Sequence, residues 1–251
     1  MQFPVTFHIG AFALPAHFIF DVVSYYFAFW LYVRLRKNSD HITLENRQWI
    51  LVGAAGGALF GAVLFGALEH ISLFLNPPSV LYYFSNKTIV GGLIGGLIGV
   101  ELVKKCIDEK KSSGDLFVFP LIFAIAIGRI GCFLTGVSDK TAGLPSSLPW
   151  AIDQGDGILR HPTALYEIMF LVVLGIILFA FHNSFNKNSV KKRHKSGVLF
   201  KIFLASYCAF RLLIDFIKPV EIIALGLSAI QLACALLLIY YIVEYMTTRT
   251  S

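Results

Sequence analysis

Seven long apolar runs separated by short polar connections set the pattern of the chain, at roughly residues 14–33, 49–75, 88–103, 116–135, 163–183, 198–217 and 222–245. A helix crossing a bilayer needs about 20 mainly apolar residues. In hydrocarbon the backbone must satisfy its own hydrogen bonds, so runs of this length predict helices. The pattern therefore predicts an all-α integral membrane protein with seven transmembrane helices, forming a single polytopic domain over residues 1–251. One connection differs from the rest. Residues 136–162, GVSDKTAGLPSSLPWAIDQGDGILRHP, are rich in Gly, Pro and Asp, which argues against regular helix. Trp150 and the leucines suit a loop lying at the membrane surface, and a loop of this length is usually functional.

Charge gives the expected orientation. The connections 34–48, 104–115 and 184–197 hold Arg34, Arg36, Lys37, Arg47, Lys104, Lys105, Lys110, Lys111, Lys187, Lys191, Lys192, Arg193 and Lys195, which is 13 of the 21 basic residues. These are alternate loops, and the others contribute only Lys87, Lys140, Arg160 and Lys218. By the positive-inside rule the N-terminus is expected outside, the C-terminus in the cytoplasm, and the loop 136–162 on the outer face. The net charge of +6 thus follows from topology and gives no reason to expect a nucleic-acid partner.

Composition agrees with a lipid environment: 57% of residues are hydrophobic and only 14% charged, where soluble domains carry about a quarter charged. No cationic segment precedes the first apolar run, so that run is expected to remain as a helix. Glycines cluster in two runs, several of them at spacings of four: Gly53, Gly56, Gly57, Gly61 and Gly66 in one, Gly91, Gly92, Gly95, Gly96 and Gly99 in the other. This spacing places small residues on one face and predicts close helix packing. Gly91 and Gly92, at the outer end beside Lys87, are also candidates to line a lipid headgroup site. Cys106, Cys132, Cys208 and Cys234 lie far apart without CxxC spacing, so no metal, cofactor or disulfide framework is expected. Cys132 reads as a packing residue, with a reactive thiol as the other reading.

Ionisable residues inside spanning helices are costly and are functional candidates. Here they are Asp21, Glu69, His70, Arg129, Glu167, Arg211 and Asp215. With the expected topology, all fall toward the outer side, which points to an outward-facing polar cavity. Glu101 and Glu244, near cytoplasmic ends, suit local pairing. Arg211 and Asp215 are spaced i,i+4 and can pair with each other. Arg129 has no acid within a turn of its own helix and needs an acid from another helix or an anionic ligand. Guanidinium groups bind phosphate in a bidentate fashion, so a phospholipid is the indicated ligand. A small-solute transporter would need charges through both halves of the membrane and repeated halves. Neither is evident.

Four ordered stretches carry a family resemblance: Lys87–Glu101 (KTIVGGLIGGLIGVE), Gly128–Gly136 (GRIGCFLTG), Arg160–Glu167 (RHPTALYE) and Phe210–Pro219 (FRLLIDFIKP). Together they resemble prolipoprotein diacylglyceryl transferase. The resemblance implies a multi-pass enzyme of the bacterial plasma membrane, with its active site facing the extracytoplasmic side. It implies transfer of diacylglyceryl from phosphatidylglycerol to the thiol of a lipobox cysteine in a prolipoprotein, with glycerol phosphate leaving. Arg129 and Arg211 stand at the family's arginine positions and are expected to bind the phosphodiester and stabilise the leaving charge. Lys87, Gly91, Gly92, Glu167, Asp21 and Tyr25 are further candidates for substrate binding. Membrane lipids complete the expected partners.

The chain departs from the family pattern at Val90, where a histidine is usual, at Cys132, where asparagine is usual, and at Val137, where glutamate is usual, with Asp139 nearby. Lys218 stands where a second arginine is common. A thiol nucleophile needs a base or a field that lowers its pKa. With valine at residue 90, His161 is the first candidate base and His70 the second. Besides transfer to a lipobox thiol, two other functions fit these residues. One is a sister transferase with another acceptor, the other a lipid-binding or membrane-assembly paralogue.

Overall fold

The computed structural model describes residues 3–10, 12–39, 42–69, 87–139, 141–187 and 197–250. Among these residues there are seven long helices: α1 (Ala16–Ser39), α2 (Leu44–Glu69), α3 (Ile89–Cys106), α4 (Val118–Thr135), α5 (Thr163–Lys187), α6 (Val198–Ile214) and α7 (Ala229–Thr250). Five segments are long and apolar enough to cross a membrane: Ala16–Lys37, Leu44–Glu69, Gly114–Asp139, Thr163–Ser184 and Ala229–Thr247. The other two helices are shorter or more charged. Helix α6 has 17 residues, and α3 carries Glu101, Lys104 and Lys105 within its 18. The protein is an all-helical membrane protein, and each expected apolar run holds one of the helices.

Several helix ends differ from those expected, Lys104 and Lys105 for instance lying in the last turn of α3 rather than in a loop. Helix α1 continues through Arg34, Arg36 and Lys37, which were expected in a loop. Cations are favourable in a last turn, where the carbonyl ends are exposed. Arg47, also assigned to that loop, is a buried residue in the first turns of α2. The last helix begins at Ala229 rather than 222. There Ser228 and Gln231 cap each other reciprocally, Gln231 N–H to Ser228 Oγ at 3.2 Å and Ser228 N–H to Gln231 Oε1 at 3.0 Å. Residues 70–75 of the second run, His70 among them, lie outside the described residues.

The contacts divide the chain into two compact units: Met1–Asp40, Gly114–Phe203 and Phe216–Pro219 in the first, and His41–Ser113, Leu204–Asp215 and Val220–Ser251 in the second. In the first unit, α4 packs against α1 and α5. Tyr32 of α1 stacks on Phe117 at 5.2 Å between centroids, and Phe27 meets Phe123 edge-on at 5.4 Å. A short antiparallel hairpin, β1 (Thr6–Ile9) and β2 (Phe12–Pro15), leads into α1 in the register Thr6 to Pro15 and Ile9 to Phe12. Val5 N–H donates to the Leu134 carbonyl at 2.9 Å, tying this hairpin to the end of α4. The segment after α4 holds a 3-10 turn (Gly136–Asp139) and a two-residue pair, β3 (Ile152–Asp153) with β4 (Leu159–Arg160), and its described residues are otherwise non-helical.

In the second unit, α2 and α3 lie in backbone contact. A Cβ added at Gly57 would overlap Gly95, one at Gly61 would overlap Gly91, and one at Gly99 would overlap Gly53. The glycine face predicted from spacing is this contact, since only hydrogen at Cα lets two helix backbones approach so closely. Helix α3 starts at Thr88, whose Oγ1 accepts from Gly91 N–H at 3.2 Å, and Glu101 pairs with Lys104 at 3.0 Å.

Candidate functional site

The polar site of the first unit depends on how near α1 comes to α4. At Gly131 an added Cβ would lie 3.0 Å from Phe20 Cβ and 3.1 Å from His17 Cα, tighter than packed side chains tolerate. Glycine here lets the first turn of α1 rest on the last turns of α4. Arg129 and Cys132 are spaced i,i+3 on α4 and so point the same way. His17 therefore meets Cys132, its Nε2 at 3.7 Å from Sγ. On its own helix, His17 Nδ1 lies 3.0 Å from Asp21 Oδ2, one turn on.

A second carboxylate comes from the turn after α4. Gly136 ends the helix with φ +70 and lies against the Gln154 carbonyl, where a side chain would overlap, and the 3-10 turn carries Asp139 inward. Asp139 Oδ1 lies 3.2 Å from His17 Nε2, and Oδ2 accepts from Thr141 Oγ1 at 3.0 Å. Thr163 Oγ1 donates in turn to the Thr141 carbonyl, which fastens this turn to the start of α5. His17 thus has a carboxylate on each ring nitrogen.

Arg129 joins the cluster to α5. Its Nε lies 2.8 Å from Glu167 Oε2, with the two side chains only 8% and 1% exposed. Its Nη1 donates to Cys132 Sγ at 3.6 Å. A guanidinium this far from water needs its counter-charge: breaking such a pair typically costs about 3–5 kcal/mol. Glu167 supplies the acid that Arg129 lacks on its own helix. One edge of the guanidinium thus faces Glu167 and one Nη faces the thiol.

In the second unit, Arg211 Nη2 reaches Asp215 at 3.0 Å to Oδ1 and 3.3 Å to Oδ2, both residues buried. The i,i+4 spacing produces the pair the sequence allowed. Val90 is 1% exposed in α3.

The sequence profile of prolipoprotein diacylglyceryl transferase matches residues 4–247. The chain belongs to that family. It is 30% identical to the phosphatidylglycerol–prolipoprotein diacylglyceryl transferase of Actinobacillus pleuropneumoniae over 230 residues, 87% of this chain and 81% of the relative. It is 32% identical to the protein so named from Bordetella bronchiseptica over 246 residues, covering 90% and 87% of the two chains. The protein so named from Salmonella arizonae is 30% identical over 241 residues, 86% of this chain and 80% of the relative.

Set on this family frame, the expected residues separate into groups. Arg129, Glu167 and Asp21 belong to the polar cluster of the first unit, and Arg211 to the buried pair of the second. Tyr25 is 70% exposed, with Tyr26 and Phe29 beside it, an apolar stripe suited to lipid. His161 is built into the loop: its carbonyl accepts from Gly143 N–H at 3.0 Å and Thr163 N–H at 2.9 Å, and Nδ1 lies 3.4 Å from Tyr166 Oη. Tyr166 also accepts from Trp150 Nε1 at 2.7 Å, which joins the loop to α5. Gly91 is accounted for by the α2 contact, whereas at Gly92 a Cβ would find ordinary room, 3.7 Å from Ala58 O and Ala62 Cβ. Lys87 is exposed just before the Thr88 cap.

Two residues were misjudged from sequence. The packing reading of Cys132 is corrected: its thiol lies between an imidazole and a guanidinium. His17 was passed over, although it is one turn from Asp21 and the i,i+4 His–Asp spacing was available as a signal.

Proposed function

We propose that the protein transfers diacylglyceryl from phosphatidylglycerol to the thiol of a lipobox cysteine in a prolipoprotein, forming a thioether and releasing glycerol phosphate. The single observation that carries this is the family match over residues 4–247, with relatives named for that reaction covered over four-fifths of their length. We assign the seven helices as spans of the bacterial plasma membrane, N-terminus outside, with the cluster of the first unit opening to the extracytoplasmic side. The alternating basic loops support that orientation.

Arg129 is assigned to the lipid phosphodiester. Its Nε faces Glu167, which fixes the plane of the fork, and a guanidinium is the side chain whose geometry matches a phosphate. Charge that grows on the departing phosphate is met by a guanidinium already oriented and largely shielded from water, where electrostatic stabilisation is strongest. Arg211 is given the same chemistry from its place in the Phe-Arg stretch, with Asp215 as its orienting acid. Lys87 and Gly92 are kept as headgroup contacts at the start of α3, and Tyr25 as an acyl-chain contact at the lipid-facing surface of α1.

Among the described residues His17 joins His161 as an imidazole that could act on an incoming thiol, because it lies beside Cys132 in the cluster that holds Arg129. The test is release of glycerol phosphate from phosphatidylglycerol by purified protein in the presence of a lipobox peptide. Release is expected with the cysteine peptide and not with its serine counterpart. Arg129→Lys and Arg211→Lys should each lower release at least tenfold while the protein stays folded. Stoichiometric lipid binding without release under any of these conditions would replace the transferase reading with the lipid-binding one.

A further inference from the structure

His17 Nε2, Cys132 Sγ and a carboxylate oxygen of Asp139 all lie within 4.8 Å of one another. Asp21 holds the opposite ring nitrogen at 3.0 Å. If Nδ1–H donates to Asp21, Nε2 presents a lone pair to the lone pairs of Sγ and Oδ1. Three donors facing one another require a proton or a cation between them. The spacing accommodates a cation. Zinc bonds of about 2.0 Å to nitrogen or oxygen and about 2.3 Å to sulfur, at tetrahedral angles, put N and S about 3.5 Å apart and N and O about 3.3 Å apart. The observed separations are 3.7 Å for His17 Nε2 to Cys132 Sγ and 3.2 Å for His17 Nε2 to Asp139 Oδ1.

We propose that His17, Cys132 and Asp139 form a zinc site with an open fourth position, and that this position takes the acceptor thiol as thiolate. The donor set, one nitrogen, one thiolate and one carboxylate, suits a tetrahedral borderline-soft cation and not magnesium or calcium. Asp21 is the outer carboxylate that fixes the tautomer and orientation of a ligating imidazole. Thr141, hydrogen-bonded to Asp139 at 3.0 Å, orients the carboxylate in the same way. One thiolate and one carboxylate neutralise the dication, so the cluster gains no net charge inside the membrane.

The inference rests on the transferase reading for the identity of the acceptor. Thiol binding to the cation releases the S–H proton to water, because a coordinated thiol is deprotonated outright. The sulfur lone pair then forms the C–S bond at the glycerol carbon bearing the phosphate ester. The C–O bond breaks, and its electrons leave with glycerol phosphate beside Arg129. Nothing is oxidised or reduced. This supplies the deprotonation that valine at residue 90 cannot perform.

The test uses the full chain purified in detergent. After equilibration with zinc and removal of excess, elemental analysis should find near-equimolar zinc. The cobalt-substituted protein should show a thiolate-to-cobalt charge-transfer band. That band should vanish in Cys132→Ser and persist in Cys106→Ser, which removes an exposed thiol elsewhere, and in His161→Ala. Asp21→Asn removes no ligand and should weaken zinc affinity about 10–100-fold, a readout that survives if Cys132→Ser misfolds. Metal far below one equivalent, or a cobalt band indifferent to Cys132, overturns the site and leaves His17 as a protonated imidazolium between two carboxylates. Undiminished glycerol phosphate release from metal-free protein overturns the thiol-activating role alone. Tight zinc binding without release from any metal form leaves the site standing and overturns the transferase reading.

Discussion

Replacing Glu167 by glutamine separates what the buried ion pair does for folding from what Arg129 does for chemistry. The substitution keeps the shape of the side chain and removes its charge, leaving a guanidinium 8% exposed and 2.8 Å from a neutral amide. At this depth, losing the counter-charge of a buried pair costs about 3–5 kcal/mol. An exposed pair would contribute only about 0–1 kcal/mol. At about 1.4 kcal/mol per factor of ten, Glu167→Gln lowers the folding equilibrium by roughly two to three and a half orders of magnitude. Reversible denaturant titration in mixed micelles, read by tryptophan fluorescence, measures this directly. The partner experiment is Arg129→Met with Glu167→Leu, which removes both charges and fills the space with apolar atoms. Such paired replacements are often neutral or stabilising, so most of the lost stability should return. Glycerol phosphate release should not. A shift below about 1 kcal/mol in Glu167→Gln would show that the pair is hydrated. Activity regained by the apolar double variant would remove Arg129 from phosphate binding.

Three further outcomes are expected. In a background without native cysteines, Ser147→Cys in intact cells should react with an impermeant maleimide and Lys110→Cys should not; reaction at Lys110→Cys alone would invert the topology. Gly57→Ala should destabilise by about 1–3 kcal/mol through overlap with Gly95. Gly56→Ala, which meets nothing within 4 Å, should be neutral or stabilise by about 0.5–1 kcal/mol in thermal unfolding. Asp156 has its carboxyl held below the usual carboxylate range by the hydrogen bond from Arg160, whose Nη2 lies 2.6 Å away. A depressed folded-state pKa gives order that is present above the ordinary carboxylate pKa and lost as pH falls through the lowered value. Hydrogen exchange in residues 153–160 should therefore accelerate only in acid below that range, and Asp156→Asn should abolish the step.

What could be read in the sequence was what repeats locally. Apolar run length depends on consecutive residues, and the Gly53–Gly57–Gly61 face on the helix period, so both translate directly into α2 and its contact with α3. The Arg211–Asp215 pair also follows from one turn of helix. The cluster did not, because its members come from the first turn of α1, the last turns of α4, a 3-10 turn and α5. Arg129 announced that it needed an acid, yet nothing local pointed to Glu167 on another helix. Cys132 looked apolar because a thiol among Gly, Phe and Leu carries no sign of the imidazole that approaches it. His17 sat at the edge of an apolar run, where a histidine reads as an interfacial residue, and only its spacing to Asp21 marked it.

That spacing has a consequence for how the protein enters the membrane. The His17–Cys132 contact joins residues 115 apart in sequence. At about 5–20 residues per second, synthesis leaves α1 waiting about 6–23 s before α4 is complete. Through that interval His17 lacks the Cys132 and Asp139 contacts that α4 and its following turn provide. Asp21 and His17, 3.0 Å apart on adjacent turns, can neutralise one another within α1 itself. The first helix therefore carries its own counter-ion into the bilayer. It hands His17 Nε2 to Cys132 and Asp139 only once α4 and the turn that follows have arrived.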